Sequence, residues 1–195
     1  VGNVMIDSLV GLLPKAEAGW DDVRKRWGLE GEFILVTLHR PCSVDVAGNL
    51  REVLGALNEL AADCRIVFPV HPRTRQRIDQ TATQEVHPNL CLSEPLAYLE
   101  FLALEKHAAL VITDSGGIQE ETTFLGVPCL TVRPNTERPV TIHLGTNTLA
   151  GCRQKEIVTA AHRKLRSPAV GRRIPPYWDG KTAQRIVALL QGVNS

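Results

Sequence analysis

No stretch of this chain stays apolar long enough to cross a bilayer. The longest runs, Phe33 to Leu38 and Ala108 to Ile112, fall far short of the ~20 residues a spanning helix requires. Neither sign of charge is in excess: 22 basic against 21 acidic residues leave a net charge of +1. That balance gives no case for a general nucleic-acid binder or a membrane-surface protein. The five cysteines (Cys42, Cys64, Cys91, Cys129, Cys152) form no CxxC pair, which excludes a zinc ribbon or thioredoxin-type site. No HxxxH or HExxH pair is present, so no metal site is expected. A Walker P-loop and a GxGxxG fingerprint are both missing, so neither an NTPase nor an NAD enzyme follows, and no cofactor is implied. Internal repeats, low-complexity tracts and a signal peptide are missing too. The chain opens on Val1 rather than Met, which points to a processing site or a boundary with a partner domain beyond it. An odd cysteine count without a secretory signal favours the cytoplasm.

What is present is an ordinary globular composition, 44% hydrophobic and 22% charged. It is enough for one domain, or one domain plus an extension. Val1 to Leu13 carries a helical apolar pattern that Pro14 is expected to end or to follow. Trp20 to Trp27 reads as a charged helix stopped at Gly28. Strand and helix then alternate. The strands are expected at Phe33 to Leu38, Cys64 to Val70, Asn89 to Leu92, Ala109 to Thr113, Pro128 to Val132 and Thr146 to Leu149. The helices are expected at Asn49 to Ala62, Arg73 to Thr83, Tyr98 to His107, Gly117 to Leu125, Gln154 to Leu165 and Lys181 to Leu190. Ile186, Val187, Leu189 and Leu190 form the apolar side of the last. Cys64, Cys91 and Cys129 lie in or beside strands and read as buried thiols. Strands apolar on both faces, each followed by a helix, imply an α/β fold with a Rossmann-like, doubly wound parallel sheet.

In such a sheet ligands sit beyond the carboxyl ends of the strands. His39, Arg40 and Pro41 follow the first strand, and His71, Pro72 and Arg73 the second. Asp114, Ser115, Gly116 and Gly117 follow the fourth, and Arg133 to Arg138 the fifth. These polar, largely cationic loops share one rim, which points to an anion. The sharpest signal is Thr113-Asp114-Ser115-Gly116-Gly117-Ile118-Gln119-Glu120-Glu121, where a buried strand runs through Ser-Gly-Gly into a helix. Glycines let a phosphate approach the backbone, and first-turn amides with the helix dipole behind them favour an anion. Ser115 can cap the helix or donate its hydroxyl, and Glu121, one turn inward, can accept from ribose hydroxyls. The alternative is a plain capped helix behind a tight turn.

The neighbouring residues leave choices open as well. His39 can exchange a proton or stabilise a phosphate leaving group, and Arg40 can pair with a phosphate or a carboxylate. Both can equally be rim residues satisfied by loop carbonyls. His71 reads similarly, or as a turn residue before Pro72. Arg138, followed by Pro139 at a favoured first helical position, contacts phosphate or pairs with Glu120 or Glu121. Trp20, Trp27 and Trp178 are expected to pack peripheral helices.

On these residues the sequence resembles the non-hydrolysing UDP-N-acetylglucosamine 2-epimerase family. The matching segments are Val1-Gly2-Asn3 to Ile6-Asp7, Val36-Thr37-Leu38-His39-Arg40-Pro41 and Pro69-Val70-His71-Pro72. They continue with Pro95-Leu96-Ala97-Tyr98-Leu99 and Phe101, Thr113 to Glu121, Leu125-Gly126-Val127-Pro128 and Thr136-Glu137-Arg138-Pro139. Trp178-Asp179-Gly180 resembles the family's NPYGDG stretch. The resemblance implies the C-terminal half of a two-domain GT-B fold. Residues 1–28 would be an interdomain segment with its helices, 29–170 the Rossmann-like nucleotide-binding domain and 171–195 a C-terminal helical extension. It also implies a diphosphate held by Ser115, Gly116 and Gly117, ribose hydroxyls by Glu121 and phosphate or its surroundings by Arg138. Phe101 would lie near the uracil and His39 in the catalytic centre. Two departures are visible: Leu96 stands where some members carry Gln, and Pro41-Cys42 differs from the HRRE variant tied to an allosteric second substrate site that His71 would line.

The activity implied is interconversion of UDP-GlcNAc and UDP-ManNAc by elimination and re-addition of UDP. The partners implied are UDP or UDP-GlcNAc, the N-terminal domain of the same enzyme and, in the full-length form, a second copy in a homodimer; neither nucleic acid nor membrane is among them. The family's sugar-directed carboxylates belong to the N-terminal domain, so this chain alone is expected to be inactive. A GT-B glycosyltransferase, a non-catalytic nucleotide-binding module and hydrolysing relatives releasing free N-acetylmannosamine are the alternatives.

Overall fold

In a computed structural model, residues 1–81, 86–166 and 173–193 are described. Each apolar run read as a strand contains one: β1 (Phe33–Thr37), β2 (Arg65–Pro69), β3 (Leu90–Ser93), β4 (Leu110–Thr113), β5 (Cys129–Thr131) and β6 (Asn147–Leu149). All pair in parallel in the order β3-β2-β1-β4-β5-β6. The order reverses at β1 and β4, neighbours in register from Ile34 opposite Leu110 to Thr37 opposite Thr113. The loops leaving these two strands diverge, which makes their junction the natural ligand crevice.

The helices are α1 (Val4–Ala18), α2 (Trp20–Trp27), α3 (Pro41–Val44), α4 (Ala47–Leu60), α5 (Pro72–Thr81), α6 (Tyr98–His107), α7 (Gly116–Leu125), α8 (Pro139–His143), α9 (Gln154–Arg166) and α10 (Thr182–Val193). Alternate strand residues feed two cores. Ile34, Val36, Ile66, Phe68, Leu110 and Ile112 pack with α4 and α9, whereas Phe33, Leu35, Val67 and Val111 pack with α1, α6 and α7. Both faces of the sheet are thus closed by the chain's own helices. No helix among the described residues is long and apolar enough to cross a membrane.

Several expectations need correction. Pro14 does not end α1, which continues to Ala18. The proline is exposed, so its missing N–H falls on the solvent side while Ile6, Leu9 and Ala16 stay on the buried side. The stop is Gly19, whose amide bonds to the Ala16 carbonyl. Gly28 ends α2 as read, in the left-handed region at φ 59°. The expected apolar side of α10 is not buried: Val187, Leu189 and Leu190 are all more than half exposed. That helix is instead anchored at its start, where the Asp7 carboxylate accepts from the amides of Thr182 (3.1 Å) and Ala183 (2.7 Å). Cys129 is buried, but Cys64 and Cys91 are only partly so. The short α3 was not anticipated; Pro41 at its first position suits it. Trp178 is buried, and Trp20 stacks on His107 at 4.0 Å. The end of the helix expected at 73–83 and the boundary expected at 170/171 lie outside the described residues.

Candidate functional site

At the junction of β1 and β4 one carboxylate holds both loops. Asp114 is fully buried. It accepts from the backbone amide of His39 (3.1 Å to each oxygen) and from that of Arg40 (2.8 Å). The His39 ring, half exposed, lies with Nδ1 3.4 Å from Oδ1 of the same residue. An acceptor at Nδ1 favours the tautomer protonated there and leaves Nε2 as the basic nitrogen. Asp114 was read only as a loop residue. The available signal is an acid one residue past the wholly apolar Leu110-Val111-Ile112, at the end of a buried strand, where it needs donors to be buried.

One residue on, α7 begins. Ser115 occupies the N-cap position, but its side chain makes no capping bond, correcting one of the two roles read for it. Its amide donates instead to Thr113 Oγ1 at 3.0 Å. Among the described residues, the N–H groups of Gly116, Gly117 and Ile118 find no acceptor, while that of Gln119 closes the first turn on the Ser115 carbonyl. Unpaired first-turn donors and the helix dipole together attract an anion. The two glycines do different things. A Cβ at Gly116 would stand 2.9 Å from Glu137 Oε1, so its bareness lets the loop after β5 close against the helix. A Cβ at Gly117 would meet only Ser115 Oγ, at 3.9 Å, so this residue opens onto free space. The corner is an open ledge. The cavity lined by Arg51, Leu54, Asn58, Ile78 and Leu90 lies among α4, α5 and β3 instead.

The rim cations are not loose. Arg40 Nη2 donates to Glu137 Oε1 at 2.7 Å, and Arg133 Nη1 lies 2.8 Å from the other oxygen. Glu137 is held down to about 2, first by its own backbone amide and then by Arg133 and Arg40, against partial desolvation. Arg138 pairs with Glu120 (Nε to Oε1, 2.7 Å), one of the two partners considered for it, and stands at the start of α8 as expected. Each guanidinium keeps N–H groups beyond those its carboxylate takes. Behind the ledge, Gln119 Oε1 accepts from Thr136 Oγ1 (2.6 Å) and Asn147 Nδ2 (3.1 Å) while its Nε2 donates to the Ser115 carbonyl (3.0 Å). This buried network fixes the loop of Arg133 to Arg138 against α7 and was invisible to motif reading.

Glu121 faces inward from α7 and is almost wholly buried. Tyr98 Oη donates to its Oε1 at 3.1 Å. Burial, and then the negative charge of Glu121, push the Tyr98 hydroxyl up, so it stays a donor. Burial also raises Glu121 itself, offset by its hydrogen bonds with Glu105 and Tyr98. Phe101 is half-buried against the core between α6 and α7. His71 is exposed after β2, its Nδ1 accepting the Arg73 amide at 3.3 Å, the arrangement of a turn residue. The structure therefore gathers His39, Arg40, Ser115, Gly116, Gly117 and Arg138 at one junction, with Glu121 one turn deeper. Asp114, Glu137, Tyr98, Glu105 and Gln119 are additions to the set read from sequence.

A family model described as UDP-N-acetylglucosamine 2-epimerase matches residues 1–191. The UDP-N-acetylglucosamine 2-epimerase of Methanocaldococcus jannaschii is 36% identical over 198 residues, 97% of this chain and 53% of the relative. A UDP-2,3-diacetamido-2,3-dideoxy-D-glucuronate 2-epimerase of Pseudomonas aeruginosa is 37% identical over 169 residues, 85% of this chain and 45% of the relative. The crystal structure of the M. jannaschii UDP-GlcNAc 2-epimerase in complex with UDP-GlcNAc and UDP aligns with a TM-score of 0.83 at 34% identity. That alignment covers 97% of this chain and 54% of the other. The chain spans about half the length of these relatives. With its parallel sheet, its ledge and a family match running almost end to end, the chain belongs to the UDP-N-acetylglucosamine 2-epimerase family.

Proposed function

We propose that the ledge at the start of α7 grips the diphosphate of UDP, and that the chain is the nucleotide-binding half of an enzyme interconverting UDP-GlcNAc and UDP-ManNAc. The observation that carries this is the pairing of unpaired N–H donors at Gly116, Gly117 and Ile118 with open space at Gly117. Ser115 adds a hydroxyl, and Arg138 and Arg40 add guanidinium N–H groups left over from Glu120 and Glu137. Glu121 accepts from the ribose hydroxyls, Phe101 flanks the uracil and His71 lines the rim on the β2 side. The two relatives named for different UDP-sugars have the nucleotide in common, and that is the portion this chain would hold.

Inversion at the sugar's second carbon proceeds by anti elimination. A base takes the C2 proton, the C1–O bond breaks, and UDP departs with its electrons, leaving 2-acetamidoglucal. Protonation of C2 from the opposite face and return of UDP to C1 give the other isomer. Negative charge grows on the departing diphosphate, and donors already fixed in place stabilise it without reorganising. His39, its Nδ1 turned to Asp114, presents Nε2 as the proton-exchanging nitrogen at that end, and once protonated there it donates to the departing diphosphate.

A ledge covers one side of a ligand, whereas ligand sites bury about 70–90% of theirs. The facing wall, with the carboxylates that act on C2, is assigned to the part of the relatives' length that this chain does not span. The chain alone would then bind UDP and leave UDP-GlcNAc unconverted. Calorimetric titration of UDP into the chain and into Gly117→Val tests the reading. Binding is expected in the first and lost in the second, where the new side chain fills the ledge; equal binding by both would reject it. A full-length protein given UDP-GlcNAc and no acceptor should yield the manno isomer, which a glycosyltransferase would not.

A further inference from the structure

Beneath the ledge lies an acid for which the reaction as described has no use. Glu105, in the last turn of α6, has no exposed surface. Neither of its oxygens receives a hydrogen bond from a donor, and one oxygen of Glu121 is likewise without one. Tyr98, seven residues earlier on the same side of α6, reaches across to Glu121 on α7, so Glu105 is turned toward the same carboxylate, whose charge it feels. Two ionised carboxylates cannot share a buried site without a cation between them, whereas one neutral and one ionised carboxyl form a strong hydrogen bond. A single proton on Glu105 joins the two residues: its O–H donates to the Glu121 oxygen that Tyr98 does not reach.

We propose that Glu105 is a positioning residue, a neutral acid that together with Tyr98 clamps the Glu121 carboxylate from both sides and aims it at the ribose. This rests on the reading of Glu121 as the ribose acceptor. The titratable groups packed around the pair are Tyr98 on α6, Glu120 on α7 and Cys129 on β5, with Lys164 of α9 beside Cys129. Glu120 is neutralised by Arg138. Burial, and then the charge of Glu121, raise Glu105 well above the ordinary carboxylate range. One shared proton spares the site a second buried charge, which would push Glu121 off its aim.

The test compares wild type, Glu105→Gln and Glu105→Leu of the 195-residue chain. Each is titrated calorimetrically with UDP, 2′-deoxy-UDP and inorganic pyrophosphate at neutral pH. Glutamine keeps a donor toward Glu121, so Glu105→Gln should retain the preference for UDP over its 2′-deoxy analogue. Leucine has no donor, so Glu105→Leu should lose about tenfold in UDP affinity, the scale of one hydrogen bond to a charged group. Its pyrophosphate binding should be unchanged. An unaltered ribose preference in Glu105→Leu would overturn the proposal, as would its equal loss in a cooperatively folding Glu105→Gln. If wild type binds pyrophosphate but shows no ribose preference, the role given to Glu121 fails; if it binds neither UDP nor pyrophosphate, the ledge reading fails. The proton has its own readout. The infrared difference between wild type and Glu105→Gln at neutral pH should contain the C=O stretch of a neutral carboxylic acid, and its absence would refute the clamp whatever the chain binds.

Discussion

Helices α4 and α7 each follow a central strand and lie against the sheet, yet they bury different chemistry. The contact side of α4 is Leu50, Val53, Ala56, Leu57 and Leu60, an apolar stripe with the polar residues outside. The buried set of α7 includes Gln119, Glu120, Glu121, Thr122 and Thr123 along with Phe124 and Leu125. Burial of the first kind stabilises at about 25 cal/mol per Å² of apolar surface, whatever the chain binds. Burial of the second kind is close to neutral at best, since each polar group exchanges water for a protein partner. The return on α7 is rigidity: Gln119 pins the loop of Arg133 to Arg138, and Tyr98 holds Glu121. One face of the molecule is built for stability and the other for position.

A truncation on the first face should show this most strongly. Leu57, fully buried in the core with α9, leaves a cavity when changed to Ala. The loss expected from chemical denaturation is about 2–5 kcal/mol, the usual range for a buried Leu→Ala. UDP affinity of the folded protein should stay at the wild-type level, because nothing on α4 touches the ledge. A matching fall in affinity would break the distinction between the faces.

Asp114→Ala is the counterpart at the junction. It strands the amides of His39 and Arg40, which now share one buried carboxylate. Both amides are only part-buried, so water takes over some of what the carboxylate gave and stability should drop less than in Leu57→Ala. Hydrogen exchange should accelerate at these two amides while the α4 and α9 amides keep their relative protection. UDP affinity should fall as well. A purely global effect, spread evenly over the molecule, would show that Asp114 is ordinary packing rather than the tie between two loops.

The same contrast explains what could be read from the sequence. The α4 stripe and the doubly apolar strands announce themselves by period, and with them come the parallel sheet and the rim of loops. The Ser115-Gly116-Gly117 corner is equally legible, because glycine after a buried strand has few other uses. The extent of α7 and the role of Glu121 can be read too, but not which of its other polar residues are buried, since a helix buried nearly all round has no solvent side to set its phase. Asp114 finds its partners 75 residues earlier in the chain, a pairing that only the β1/β4 register creates. Glu105 was the hardest. Beside Lys106 and His107 it reads as the solvated end of a helix, but α6 buries Leu102, Ala103, Leu104 and Glu105 in succession. Pro14 misled in the opposite direction, because a proline on the outer side of a helix removes one bond without unseating the inner side.

Glu137→Gln carries the smallest expected effect and refines the comparison most finely, because its carboxylate is nearly two-fifths exposed and yet bridges Arg40 and Arg133. Its pKa stands at about 2 against an ordinary 4.5, so the folded state favours the ionised form. That contribution is fully present above 4.5 and fades as pH falls through about 2, below which the carboxyl is protonated in folded and unfolded chains alike. Wild type should therefore lose thermal stability more steeply than Glu137→Gln across this acid window, the two curves converging at its lower end. Solvent screening keeps the gap modest at neutral pH. Parallel curves would mean that the bridge adds nothing to folding and that the two arginines are held by the loop backbone alone. The clamp against Gly116 would then be a matter of steric fit, and the second face would owe its order to Gln119 and Asp114 rather than to charge at the rim.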